Sequence, residues 1–245
     1  LEFLKNHPFA VEAFFEQSLV LTYAVPKTSI RHLLPGCLEP DLLNDQWAFI
    51  AAAFVQTKKL RPRGFPAFMG NDFFLIGFRL FVRYRTSTGK NLRGLYILRS
   101  ETDKRKMSVL GNIFTHYNYV YTDISFTTKE GQTTLLSKKS SIAVIADISQ
   151  APASLPNGSP FNDWKEARRY AGPLPFTFTY NAKRREVLII EGVRENWIPR
   201  PVQVSKQEIG FINDLRLPGL VPANAFIIEN IPYYWKKGII DKWNP

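Results

Sequence analysis

The stretch GNIFTHYNYVY, residues 111–121, gathers side chains that can move protons and hold ligands. His116 is one of three histidines in the chain, and tyrosines stand at 117, 119 and 121. An imidazole has a reference pKa of about 6.5, so it can serve as general acid or base near neutral pH. An apolar site would lower that value and a neighbouring carboxylate would raise it. The tyrosines add hydroxyls and flat walls. Arg79 stands in the apolar run FLIGFRLFVRYR. A guanidinium there needs an acidic ligand, a buried partner or the wet face of a sheet. Glu101, at the end of the same hairpin, is a partner for either group or a charge at the next helix N-terminus. The catalytic candidates are therefore His116 and Tyr117, and the ligand-binding candidates are Arg79, Tyr119 and Glu101. The plainer alternative for His116 is a satisfied polar residue in an aromatic strand.

Other chemistries lack their residues. There is no G-x-G-x-x-G, no complete Walker sequence, no H-E-x-x-H and no G-x-S-x-G elbow. The histidines at 7, 32 and 116 lie far apart, and Cys37 is the single cysteine. The expectation is no metal site, no disulfide and no cofactor. Thr88-Gly89-Lys90 reads as a hairpin turn, and Cys37 as a packing residue.

The chain has 245 residues and a net charge of +11, which raises the prior for anionic partners. Its cations come in small scattered groups, with no nucleic-acid-binding motif beside them. Solvated charges on a β protein explain them better than a nucleic-acid surface does. No apolar run approaches the roughly 20 residues that a membrane span needs. No secretory signal is legible, and the lone cysteine suits a reducing compartment, so a cytoplasmic location is expected. Aromatics at 14% favour sheets and lined cavities over slim helical bundles.

The pattern along the chain is hairpins with a few short helices. The segment up to Gln17 reads as helical after Pro8, QSLVLTYAV as a strand, and PKTSIRHLLPG as a short helix. QWAFIAAAFVQT reads as a strand covered on both faces, and KKLRPRGFPAFMGND as a long loop. FLIGFRLFVRYR and LRGLYILRS form a hairpin across TSTGKN, with Arg79, Phe81, Arg83 and Arg85 on one face. ETDKRKMSVLG has helical potential. Two further hairpins follow, turning at KEGQ and at NAKRRE. QAPASLPNGSPFNDW reads as a loop, NDWKEARRY as a short helix capped by Asn162 or Asp163, and SKQEIGFINDL as a helix capped by Ser205. NAFIIENIPYYWKKG closes the chain as a strand. No regular βαβ alternation appears. The expectation is one mainly β domain over 1–245, an antiparallel barrel or curved sheet around a cavity, with short peripheral helices.

LVLTYAVPKTSIRHLLPGCLEPD, residues 19–41, resembles the start of the acetoacetate decarboxylase-like superfamily. Leu33, Leu34, Pro35, Leu38 and Glu39 carry the likeness. W-A-F-I, the long hairpin, the 111–121 segment, PLPFTFTYNAKRREVLIIEG and WIPRPVQV follow in matching order. The resemblance implies a cone-shaped antiparallel barrel around a buried pocket. It also implies a Schiff-base lysine in a Pro-Lys-Lys step, which falls here on Thr115-His116-Tyr117. His116 replaces the nucleophile and Tyr117 its cationic neighbour. A family arginine falls on Ala24, and two pocket glutamates fall near Ile50 and Gly77. No lysine lies between 107 and 128. A branch without imine chemistry is therefore expected, binding a small organic molecule, in one version an acid. Any chemistry would be lyase-like acid–base chemistry at His116. A non-enzymatic carrier of an apolar ligand is the alternative, and a nucleic-acid-binding protein the weaker one. The resemblance allows for homo-oligomers, and IPYYW is either an interface or a buried edge.

Overall fold

The computed structural model describes residues 2–149, 153–170 and 174–243. Its strands are β1 (Val11–Pro26), β2 (Leu38–Pro40), β3 (Trp47–Pro62), β4 (Asn71–Arg85), β5 (Asn91–Thr102), β6 (Tyr119–Tyr121), β7 (Ser125–Lys129), β8 (Gln132–Ser137), β9 (Ile142–Asp147), β10 (Phe176–Asn181), β11 (Glu186–Arg194), β12 (Arg200–Pro201), β13 (Gln203–Ile209), β14 (Val221–Trp235) and β15 (Ile239–Lys242). The α-helices are short: α1 (Lys27–Ile30), α2 (Arg105–Phe114), α3 (Trp164–Tyr170) and α4 (Gly210–Asp214).

The main sheet runs β14-β1-β3-β4-β5-β10-β11, with β12 and β15 at its ends and β2 and β6 added to β4 and β5. A three-residue pairing of β11 with β14, Gly192–Arg194 against Tyr233–Trp235, brings the two ends of the path together. The sheet is mixed rather than purely antiparallel, because β5 pairs in parallel with both β6 and β10. Each of those connections is long and contains a helix, as parallel crossovers usually do. The second sheet, β13-β9-β8-β7, packs against one face of the first.

Strand alternation separates two cores. On β3, Ala48, Ile50, Ala52 and Phe54 face the second sheet, whereas Phe49, Ala51, Ala53 and Val55 face the concave side. All eight are buried, so the run is apolar without a break. On β4, Ile76, Phe78 and Leu80 join the first core, and Leu75, Gly77, Arg79 and Phe81 turn to the concave side.

One expected helix is a strand and a second is half strand. Residues 11–17 begin β1, because Ala13 and Phe15 supply a period-two buried face that pairs with β14 and β3. SKQEIGFINDL divides evenly: Ser205–Ile209 end β13, held on β9, and Gly210–Asp214 form α4. The helix expected near NDWKEARRY is α3, and Asp163 Oδ1 accepts from Glu166 N at 2.7 Å. Of the expected 150–164 loop, residues 150–152 lie outside the described residues.

Candidate functional site

The concave face encloses a cavity of about 340 Å³. That size falls within the range of small-ligand pockets, roughly 300–1,000 Å³. Its wall is mostly aliphatic and aromatic, with Phe15, Phe73, Phe81, Phe226 and Trp235 prominent. Two arginines, Arg61 and Arg79, belong to the wall, and it contains no Asp, Glu or Lys among the described residues. Arg61 is already paired with Glu12 at 2.6 Å. Arg79 makes no ion pair among the described residues, and the surface it keeps faces the cavity. Burial pushes its pKa down to about 10, partly offset by the Tyr233 hydroxyl. It is still a cation at neutral pH. Tyr233 is hydrogen-bonded to Arg194, so one phenol lies between two guanidiniums.

Other polar atoms of the wall lack partners. The Thr57 hydroxyl and the Trp197 Nε1–H are buried without a hydrogen-bond partner among the described residues, and both residues line the cavity. Buried donors without acceptors carry a desolvation cost that a polar ligand removes. Gly77 provides room: a Cβ built there meets nothing within 4 Å.

Tyr117 and Tyr119 reach the wall through α2. The Asn112 side chain brackets Tyr119, donating from Nδ2 to its carbonyl and accepting its N–H at Oδ1, each at 2.8 Å. The Tyr119 ring lies against Gly111, where any Cβ would fall 2.3 Å from the ring. Tyr117 is hydrogen-bonded to Thr177. Burial raises the pKa of both phenols, to about 12 for Tyr119, so they act as neutral donors or acceptors.

His116 is not with them. Thr115 and Tyr117 line the cavity, while His116 between them lines a small outer crevice beside Asn6, Thr179 and Glu186. The chain bends at 116–117, between the end of α2 and the start of β6, and the bend turns the two side chains to different places. The histidine that lines the cavity is His7, which no sequence pattern singles out. Its Nδ1–H donates to Phe9 O at 2.8 Å, and burial lowers its pKa, which favours the neutral imidazole.

Glu101 is also turned away. It is fully buried on the opposite face of β5, with Arg99 Nη2 at 2.8 Å from its Oε1. A bulge is responsible. Arg79 pairs with Ile97 but Phe78 pairs with Arg99, so Leu98 is skipped. Leu95 and Ile97 face the cavity; without the bulge Arg99 and Glu101 would follow them. With it, Ser100 takes the inner face. The Asn118 Nδ2 donates to the Leu98 carbonyl at 3.1 Å and satisfies the bulge. Among the predicted residues, the structure thus brings together Arg79, Tyr117 and Tyr119. It adds Tyr233 and Trp197. The signal for Tyr233 was the alternation in IPYYW, which places Ile231, Tyr233 and Trp235 on one face. Among the described residues no His, Cys, Asp and Glu side chains gather as a metal site.

A family model, described as an uncharacterized conserved protein, matches residues 13–232. The chain belongs to the DUF2071 family. Its fold is acetoacetate decarboxylase-like. Acetoacetate decarboxylase from Legionella pneumophila subsp. pneumophila str. Philadelphia 1 superposes with a TM-score of 0.60 at 13% identity, covering 94% of this chain and 86% of that one. An acetoacetate decarboxylase-like enzyme from Sphingomonas wittichii RW1 gives 0.59 at 11% identity, covering 97% and 93%. The enduracididine biosynthesis enzyme MppR, in complex with pyruvate, gives 0.55 at 10% identity, covering 95% and 90%. No curated protein matches this DUF2071 chain in sequence. No helix among the described residues is long and apolar enough to cross a membrane.

Proposed function

We propose that this DUF2071 protein binds a small organic acid in the cavity, with the anionic group on Arg79 and the remainder against the aromatic wall. One observation carries the proposal: among the described residues, a deep guanidinium without a carboxylate partner faces a cavity whose wall contains no Asp or Glu. A buried cation without a counter-ion is costly, and an acidic ligand supplies one. Tyr233, Thr57 and the Trp197 indole add uncharged donors. The bound keto acid pyruvate in MppR supports an acid of some kind in this fold. The volume favours something larger than pyruvate, such as a medium-chain or arylalkyl acid.

The absence of lysine among the described residues of the wall supports a site without imine chemistry, since only a primary amine forms a stable Schiff base. Acid–base chemistry in the cavity falls to His7 rather than His116, because only His7 lines it. The test is calorimetric titration with carboxylates graded from pyruvate to arylalkyl acids, repeated on His116→Ala. Larger acids bind more tightly, and His116→Ala keeps the wild-type affinity. Borohydride treatment with a keto acid leaves the mass unchanged. A reduced covalent adduct, or preference for uncharged analogues over acids, overturns the proposal.

A further inference from the structure

We propose that the rim of the cavity docks on an anionic lipid surface. Strand register defines this rim. Val11 pairs with both Pro62 and Trp235, so β1 begins where β3 and β14 end. By the same antiparallel order β4 begins and β5 ends there, which places the 63–70 loop and α2 at that end. Arg63 N donates to Ala10 O at 2.9 Å and ties the loop to the segment before β1. Phe9 of that segment meets Phe114 of α2 edge-on, at 5.6 Å between centroids. Phe9, Pro62 and Phe114 also line the cavity, so these pieces form its margin.

The rim shows large apolar side chains to water. Phe68 is 86% exposed, Met69 52% and Phe65 49% on the loop. Phe3 is 70% exposed beside α2, whose outer side carries Val109 at 59%. Single exposed apolar residues are ordinary, but a group of them around a cavity margin marks a contact surface. Lys59, Arg63, Lys106 and Lys237 lie at the same end, are exposed, and make no ion pair among the described residues. Apolar tips between cations suit the boundary of headgroups and acyl chains in an anionic bilayer. A second copy of a chain with net charge +11 would set like cations against each other across a symmetric contact. The bilayer neutralises them instead. This inference rests on the outer surface and holds whatever the cavity binds.

The test is sedimentation with vesicles of phosphatidylcholine carrying about 30% phosphatidylglycerol, against phosphatidylcholine alone, at low salt. Binding to the anionic vesicles is expected, with partitioning at least about tenfold weaker on the neutral ones and weaker with added salt. The double variant Phe65→Ser/Phe68→Ser lowers anionic-vesicle partitioning about tenfold or more. It keeps the wild-type melting temperature, because both side chains are exposed. Absence of binding to anionic vesicles, or equal binding by the folded double variant, overturns the proposal. A wild-type dimer that the double variant makes monomeric, without vesicle binding, assigns the rim to a second copy and overturns it too. Carboxylate titration is unaffected in either case, so failure here is distinct from failure of the cavity proposal.

Discussion

Replacing Arg79 with Met should make the protein more stable and less able to bind acids. Met keeps much of the side chain's length and removes its charge. Burial lowers the Arg79 pKa from its ordinary 12.5 to about 10, which corresponds to about 3 kcal/mol spent on holding the cation in the ligand-free fold. That cost applies at every pH below about 10, where the folded protein keeps the proton, and it fades as pH rises toward 12.5. No carboxylate among the described residues of the wall repays it. Exchange of a poorly compensated buried charge for an apolar group stabilises by roughly 1–4 kcal/mol. For a chain of this size each kcal/mol moves the melting temperature by about 2–4 °C. An increase of about 5 °C is therefore expected in ligand-free thermal unfolding. Acid binding moves the other way. Removing one partner of a buried charge pair costs about 2–5 kcal/mol, which is a loss of affinity of roughly 30-fold or more by calorimetric titration. Arg79→Lys keeps the charge without the planar fork, so its affinity falls between the two. Destabilisation of Arg79→Met by about 3 kcal/mol, or unchanged acid affinity, would refute the reasoning, because Arg79 would then hold the fold together rather than a ligand.

Two further outcomes follow from named positions. Gly77→Leu should project into the cavity, since a Cβ there has no neighbour within 4 Å. It should keep or raise the melting temperature, by burying apolar surface and removing a strand glycine, while acid affinity drops at least about tenfold; a clearly destabilised variant would place that face against packed side chains instead. Asp123 is held down at about 2 by the Lys139 backbone N–H and then by the Ser137 hydroxyl. Its carboxylate form therefore contributes stability above the ordinary value near 3.8, and the contribution is lost as pH falls toward 2. Asp123→Asn should flatten the acid limb of a stability–pH curve in that window, and an unchanged limb would remove Asp123 as its source.

By itself the sequence determined the strands whose periodicity is unambiguous. The unbroken run AFIAAAFV reads as a strand covered on both sides, and β3 is buried on both faces. The alternation of FLIGFRLF set Arg79 opposite Phe78 and Leu80, which is why Arg79 faces the cavity. The family likeness of residues 19–41 and the pieces after them anticipated the fold. Tertiary structure decided the rest, for reasons of geometry that no local pattern carries. The opening segment is a strand because β14, more than 200 residues away, offers it a partner. Glu101 is excluded from the cavity by one skipped residue in β5, and one residue reverses every side chain beyond it. His116 and Tyr117 part company at a bend between α2 and β6, and how that bend sits against the sheet decides which side chain points inward. His7, Trp197 and Tyr233 reach the wall from distant parts of the chain. Their meeting with Arg79 exists only once β11 and β14 have brought the ends of the sheet together.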